Sequence, residues 1–222
     1  EYLSSTPKYN LMYDTFGWER PKYIHLPTIM KDATRKLSKR YGDANFDDFV
    51  NKGYLPEAII NYVALLGWSP KENVEKMTMQ QMIDLFSLDG VSKSPSIFDD
   101  AKLRWLNGEY LKELSDEKFE ELAEPFFKKS KVYGKYDLKL LSSLMKTRVE
   151  ILSEIPEKVD FLEEFGEYDP ALFIHKKMKT NEETSLEILP AIRDLIANIE
   201  PYTHDALHDA FMKLAADSGL KN

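Results

Sequence analysis

Two lysines three residues apart, Lys36 and Lys39 in KLSKR (36–40), are the residues of this 222-residue chain best spaced to do chemistry. With Leu37 and Ser38 between them and Arg40 behind, they make a short cationic arm. Ammonium groups swung onto a triphosphate stabilise the charge that builds during phosphoryl or nucleotidyl displacement. A loop position lets such an arm close only when nucleotide is present. Taken alone, the five letters also fit an ordinary lysine-rich solvated turn. Lys31 and Arg35 add to the local charge, and Gly42 stops the stretch ATRKLSKRYGD (33–43).

Other chemistry finds less support. Neither G-x-G-x-x-G nor G-x-x-x-x-G-K-[ST] occurs, so neither common glycine cradle for phosphate is present, and there is no G-x-S-x-G elbow. His204 and His208 stand four apart and share a helix face, but Asp205 follows where a zinc protease pattern has Glu. No third ligand has a clear spacing, so two exposed or capping histidines are expected and no metal site. Carboxylates are abundant, yet no spacing marks a catalytic pair.

The net charge of −8 argues against a polyanion partner until its distribution is read. From Lys22 to Arg40 there are six basic residues against Asp32 alone, and from Lys128 to Arg148 seven against Asp137 alone. Acids crowd elsewhere, in SDEKFEELAE and VDFLEEFGEYD. Local potential decides where a polyanion docks, so the two basic segments mark a divided docking surface rather than two solvated helix faces. Cysteine is absent, which excludes disulfides and thiolate metal sites and fits a reducing, cytoplasmic setting. No apolar run reaches the roughly 18 residues of a membrane span. No signal peptide shows, and a monomer is expected. Opening at Glu1 on dense sequence, the chain reads as a fragment of a longer protein.

The elements that must position these residues are mostly helices. In LPEAIINYVALLGW (55–68) Pro56 suits a first helical position, the apolar residues recur at helical spacing, and Gly67 suits a left-handed cap. Thr78 and Gln81 form a capping box for a helix whose Met79, Met82, Ile83 and Phe86 share a face. Asp99 caps the next helix. Segments 115–127, 136–155, 157–166, 170–178, 184–199 and 203–219 complete the helical series, with Pro190 expected to kink or restart the fifth of them. KYIHLPTIM (22–30) is the best strand candidate. Loops with Gly, Pro and Ser separate the helices before about residue 110, and nearly continuous helices with sparse glycine follow it, which places a domain boundary there.

Several separated blocks in order now carry a resemblance. They are EYLSSTPKYNLMYDTFGWERPKYIHLPTIM (1–30), RKLSKRYGDANFDDFVNKGYLPEAIINYVALLGWSP (35–70), VSKSPSIFDDAKLRWLNGEY (91–110) and MKTRVEILSEIPEKVDFL (145–162). Together they resemble the glutamyl-tRNA synthetases, class I aminoacyl-tRNA synthetases. KLSKR stands in the place of the signature usually written KMSKS, with Leu37 for Met and Arg40 for the final Ser. The resemblance is strongest over 1–110 and continuous to the end.

The resemblance implies a mostly α fold. Residues 1–40 would be the end of a catalytic domain with a short extended α/β remnant, 41–110 a helical stem-contact domain, and 111–222 an all-helical anticodon-binding domain. It implies ATP, with Mg2+, and glutamate forming glutamyl-adenylate, then transfer to the terminal adenosine of tRNA-Glu. Lys39 would hold the ATP phosphates and Lys36 assist closure. Glu1 would lie at the nucleotide site, and Ile29 would line the adenine pocket through its backbone. Arg148 would meet an anticodon base, with Lys131, Lys135 and Lys146 on phosphates. Trp105 and Tyr110 could offer stacking faces. No zinc is implied. The second class signature, HIGH, is missing, so this piece alone is expected to be inactive. A non-discriminating enzyme that also charges tRNA-Gln, or a stand-alone helical RNA- or partner-binding module, are the alternatives.

Overall fold

The computed structural model describes residues 2–38, 45–164 and 166–219. Glu1, Lys39 and Arg40 lie outside the described residues. The architecture is mostly α, as the periodicity implies, and it divides into two compact units, Glu1–Glu164 and Phe165–Asn222.

The first unit begins with α1 (Thr6–Phe16), which ends on left-handed Gly17. An extended stretch then leads to β1 (Ile29–Met30), parallel to β2 (Ser96–Ile97), with Ile29 beside Ser96 and Met30 beside Ile97. The strand candidate 22–30 thus pairs only over its last two residues. Pro27 has no N–H to give a ladder, and β2 is itself two residues long.

Local sequence explains most helix starts. Asn45 and Asp48 box the N-terminus of α2 (Phe46–Lys52), and Thr78 and Gln81 that of α4 (Met79–Leu85). Asp99 caps α5 (Asp100–Glu113), Ser115 caps α6 (Asp116–Phe127) and Asp137 caps α7 (Leu138–Met145), each side chain accepting a backbone N–H. Helix α3 (Pro56–Gly67) has proline in its first turn and buries Ala58, Ile59, Tyr62 and Leu66. Its end differs from expectation. Gly67 stays helical and Trp68 is extended, because distant groups take the last carbonyls: the Ser96 hydroxyl donates to Leu66 (2.5 Å) and the Ser92 N–H to Gly67 (2.8 Å). A left-handed cap has nothing left to satisfy. On α4 only Met82 of the four apolar residues is buried.

Two apolar clusters share α3 and α5. One gathers Ala58 and Leu111 with Phe119, Phe127, Leu141 and Ile155; the other gathers Ile59, Tyr62, Leu103 and Leu106 with Ile151. Residue 110 therefore lies inside a helix that serves both clusters.

The segment read as one helix over 136–155 breaks after Met145. It resumes as a 3-10 turn at Leu152–Glu154 and as α8 (Ile155–Val159). Val149 and Leu152 enter the first cluster while Ile151, between them, enters the second. Asn107, fully buried, fixes this path. Its Oδ1 accepts the Leu55 N–H (2.8 Å) and its Nδ2 donates to the Glu150 carbonyl (2.5 Å). Gly53, left-handed at φ 89°, lies against Leu152 and Phe126. Among its described residues, the stretch 157–166 forms the end of α8 and a 3-10 turn, Asp160–Leu162, rather than a continuous helix.

In the second unit, α9 (Glu182–Asn198) starts on an Asn181–Thr184 capping box and runs on through Pro190. The proline removes one i→i−4 bond, and the turns on either side hold the helix together. Helix α10 (His204–Asp217) is capped by Thr203. Segment 170–178 forms two 3-10 turns, Pro170–Phe173 and Lys176–Met178, not a helix. His175 between them spends its N–H on the Thr180 carbonyl (3.2 Å) and its Nδ1 on the Met178 N–H (3.3 Å), local bonds that compete with helix formation. Among the described residues no helix is long and apolar enough to cross a membrane.

Gly53→Ala should be costly. The added Cβ would sit 2.5 Å from Leu152 Cβ and 3.0 Å from the Leu152 nitrogen, on a backbone conformation that alanine resists. A loss of about 2 kcal/mol or more is expected, lowering Tm by roughly 4 °C or more; calorimetry showing an unchanged Tm would refute the packing.

Burial pushes the Tyr110 phenol up to about 12, while its hydroxyl donates to the Met77 carbonyl (2.5 Å). The folded state then keeps this proton after the unfolded chain has lost it. Stability is full below about pH 10 and declines as pH rises through the folded value. Burial moves Tyr54 and Tyr62 the same way. Tyr110→Phe should make the alkaline decline in urea denaturation shallower, and an unchanged slope would contradict this assignment.

Candidate functional site

The cationic arm is launched from a small hairpin. Met30 bridges Lys36 in antiparallel fashion, the Leu37 N–H donates to the Ile29 carbonyl (3.1 Å), and the Lys31 N–H donates to the Arg35 carbonyl (2.8 Å). Asp32 organises the turn. Its Oδ1 accepts the Thr34 N–H (3.0 Å), the Thr34 hydroxyl (2.9 Å) and the Arg35 N–H (3.0 Å), and its Oδ2 accepts Arg35 Nε (2.6 Å). The Thr34 amide first, then the Arg35 guanidinium, hold the Asp32 carboxyl well below the usual carboxylate range. Arg35 is thereby bound to the turn. Lys36 is exposed, with no ion pair among the described residues, and Leu37 and Ser38 are half-buried. The Ile29 side chain packs on the cluster of Tyr62 and Leu106, while its carbonyl is spent on Leu37. Glu1, Lys39 and Arg40 fall outside the described residues.

The cations of the second basic segment are placed unequally. Lys146 is nearly buried, with 16% of its side chain exposed, and pairs with Asp116 at 2.8 Å, tying the end of α7 to the start of α6. This contact lowers the Asp116 pKa. Lys131 and Lys135 both face Glu163, at 3.2 and 3.9 Å. Arg148 has no carboxylate partner among the described residues; its Nη1 donates to the Leu144 carbonyl (2.7 Å), closing the C-terminus of α7. Beside Arg148 runs a groove of about 480 Å³ lined by Leu144, Met145, Lys158 and Phe161. A second groove of about 310 Å³ brings Trp105, exposed, to the other side of Arg148. Tyr110 is half-buried, its hydroxyl bonded inward. Arg104 holds the carboxylates of this second groove, Glu150 (3.1 Å) and Glu154.

Lys158 and Phe161 were absent from the residues that sequence reading singled out. Their i, i+3 spacing in EKVDFL was the available signal, but only the break after Met145 turns that face toward Arg148. His204 and His208 stack at 6.4 Å on exposed faces of α10, each beside its neighbouring aspartate. Among the described residues no cluster of three or more histidine or acidic ligands could hold a metal ion.

Lys36 on a hairpin, followed by a helical body presenting an arginine without a carboxylate partner among the described residues, accords with two family matches. Residues 1–105 match the class I tRNA synthetase (E and Q) catalytic domain, and residues 118–222 match an anticodon binding domain. The chain is thus similar, part by part, to the class I tRNA synthetases of the E and Q type. Its relatives include the glutamate–tRNA ligases of Clostridium tetani, 49% identical over 222 residues, and Clostridium kluyveri, 50% identical over 222 residues. Each match takes in 100% of this chain and 45% of the relative. A crystal structure of a glutamate tRNA ligase from Elizabethkingia meningosepticum, in complex with its amino acid, superposes with a TM-score of 0.74 at 27% identity. It covers 99% of this chain and 47% of that one. The chain spans about half the length of the curated relatives it matches.

Asp32→Ala should leave global stability near wild type but abolish amide exchange protection at Thr34 and Arg35. Hydrogen exchange that finds both amides as protected as before would show that Asp32 does not hold the turn.

Proposed function

We propose that this chain supplies the signature loop and the tRNA-docking helices of a glutamate–tRNA ligase. In the whole enzyme the glutamate carboxylate attacks the α-phosphorus of ATP, giving glutamyl-adenylate and pyrophosphate. A terminal ribose hydroxyl of tRNA-Glu then takes the glutamyl group and AMP leaves. Mg2+ travels with ATP and screens its phosphates. Residues 1–40 end the catalytic domain, 41–110 contact the tRNA stem and 111–222 bind the anticodon.

Lys36 and Lys39 meet the phosphates as pyrophosphate departs, with Leu37, Ser38 and Arg40 completing the loop. Glu1 and the Ile29 backbone border the nucleotide. The Asp32 turn supports this reading: it fixes the hairpin stem and occupies Arg35, so Lys36 projects from a rigid base. Arg148 reads an anticodon base, because its planar guanidinium is exposed and has no carboxylate partner among the described residues. Lys131, Lys135 and Lys146 contribute phosphate contacts, the first two by exchanging Glu163 for phosphate.

The observation that carries the proposal is the order of parts: a catalytic-domain match over 1–105, an anticodon-domain match over 118–222, and relatives bearing one name across the full chain. The 222 residues contain one of the two class signatures, so glutamate-dependent ATP–pyrophosphate exchange by this chain alone is not expected.

Filter binding of tRNA-Glu, tRNA-Gln and an unrelated tRNA at two salt concentrations tests the reading. Affinity should fall steeply with salt. Lys135→Glu with Lys139→Glu should weaken all three alike, whereas Arg148→Ala should cost about 1–3 kcal/mol on the matched anticodon only. Equal losses across anticodons would remove Arg148 from specificity. No preference for tRNA-Glu over the unrelated tRNA would overturn the proposal, and equal binding of tRNA-Gln would widen the substrate range.

A further inference from the structure

Both polar groups of the Glu150 backbone, two residues past Arg148, are spent on side chains from other elements. The carbonyl accepts from Asn107 Nδ2 (2.5 Å) and the N–H donates to Glu154 Oε2 (2.9 Å). The second oxygen of Glu154 accepts from the Arg104 guanidinium, which also donates through Nε to the Glu150 carboxylate (3.1 Å). Upstream, the Arg148 N–H donates to the Met145 carbonyl (2.8 Å). The bend 147–150 is therefore tied at one end to α7. At the other it is tied to α5, directly through Asn107 and again through Glu154 and Arg104. Glu154 has little to offer a ligand, since its side chain is 18% exposed and both of its oxygens are engaged. A carboxylate lining the same groove as Arg148 would, by its charge alone, repel an RNA phosphate.

We propose that Glu154 is a positioning residue for tRNA recognition: it fixes the bend so that Arg148 meets RNA in one orientation, and it makes no RNA contact itself. The inference rests on the tRNA-docking reading above and extends it to an acid that touches no ligand. Asn107 sets the path of the bend through the Glu150 carbonyl, and Glu154 locks the amide of the same residue. Without the Glu154 bond the bend must be ordered at the moment of binding, and affinity falls with the fraction of molecules that already hold it. Charge and positioning predict opposite signs. Removing a carboxylate beside RNA strengthens binding if only its charge matters, and weakens binding if it holds the bend.

The test measures binding of a tRNA-Glu transcript to the 222-residue chain carrying Glu154→Ala, Arg148→Ala or both, with circular dichroism to check folding. Glu154→Ala should weaken binding roughly 5- to 30-fold, the span for ordering the backbone of one residue, and leave the salt slope unchanged. Hydrogen exchange should show the Glu150 amide losing its protection. In the Arg148→Ala background the Glu154→Ala penalty should vanish, because nothing is left to orient. Glu154→Gln keeps an acceptor for the Glu150 N–H but loses the ion pair with Arg104, so its affinity should fall between wild type and Glu154→Ala. It carries the same cycle if Glu154→Ala does not fold. Tighter binding by Glu154→Ala would show a charge effect and sink the proposal. So would wild-type affinity in that variant, an undiminished protection of the Glu150 amide, or a Glu154 penalty that persists without Arg148. If wild type prefers tRNA-Glu over an unrelated tRNA while the two penalties add, only this proposal fails. If wild type shows no such preference, the docking reading fails with it.

Discussion

The side chain of Asn107 holds together what the rest of the first unit builds on. It is fully buried and its carboxamide is used at both ends, on the start of α3 and on the segment leaving α7. Each bond alone is worth about 1 kcal/mol net, but leaving either buried backbone partner unsatisfied costs more than making the bond gains. Asn107 therefore selects a path more than it adds stability. It takes the Glu150 carbonyl out of helical use, and the chain must turn there. Gly53 makes the same point sterically, since its missing Cβ leaves room for Leu152 to come close. One polar contact and one absent methyl thus decide where Arg148 stands.

The same segment explains how an acidic protein presents a cationic surface. Lys128, Lys131, Lys135 and Lys146 are each held by a neighbouring carboxylate. Glu163 faces two of them, Asp116 faces one, and Arg104 neutralises Glu150 and Glu154. Exposed pairs of this kind are worth little in themselves. Exchanging such a carboxylate for another anion then costs little at Lys131 and Lys135, which are exposed, and more at the nearly buried Lys146. Arg148, whose partner is only a backbone carbonyl, keeps more of its donor set for a ligand.

Sequence reading recovered what local chemistry decides. The capping box at Thr78, the Asp99 cap and the Pro56 start each follow from residues a few positions apart. It failed where distant groups intervene. The end of α3 is settled by Ser92 and Ser96, some thirty residues on, and the break after Met145 by Asn107. The stretch before β1 needs a partner strand of only two residues, which no alternation pattern encodes. At the site, the spacing of Lys36 and Lys39 was legible because it is local. The Asp32 turn beneath it could be read from an Asp two residues before a Thr, but it was not. The company of Phe161 with Arg148 was hidden because two separate helices create it.

Helix α5 contributes to both apolar clusters and carries Arg104, Asn107 and Gly108 along one edge. Its 14 residues make a rod about 21 Å long with few soft joints. Because the Glu150 carbonyl and the Leu55 amide hang on the same carboxamide, a shove on the arginine-bearing bend is felt at once where α3 begins. Whatever pushes on that bend meets one stiff beam rather than a loop.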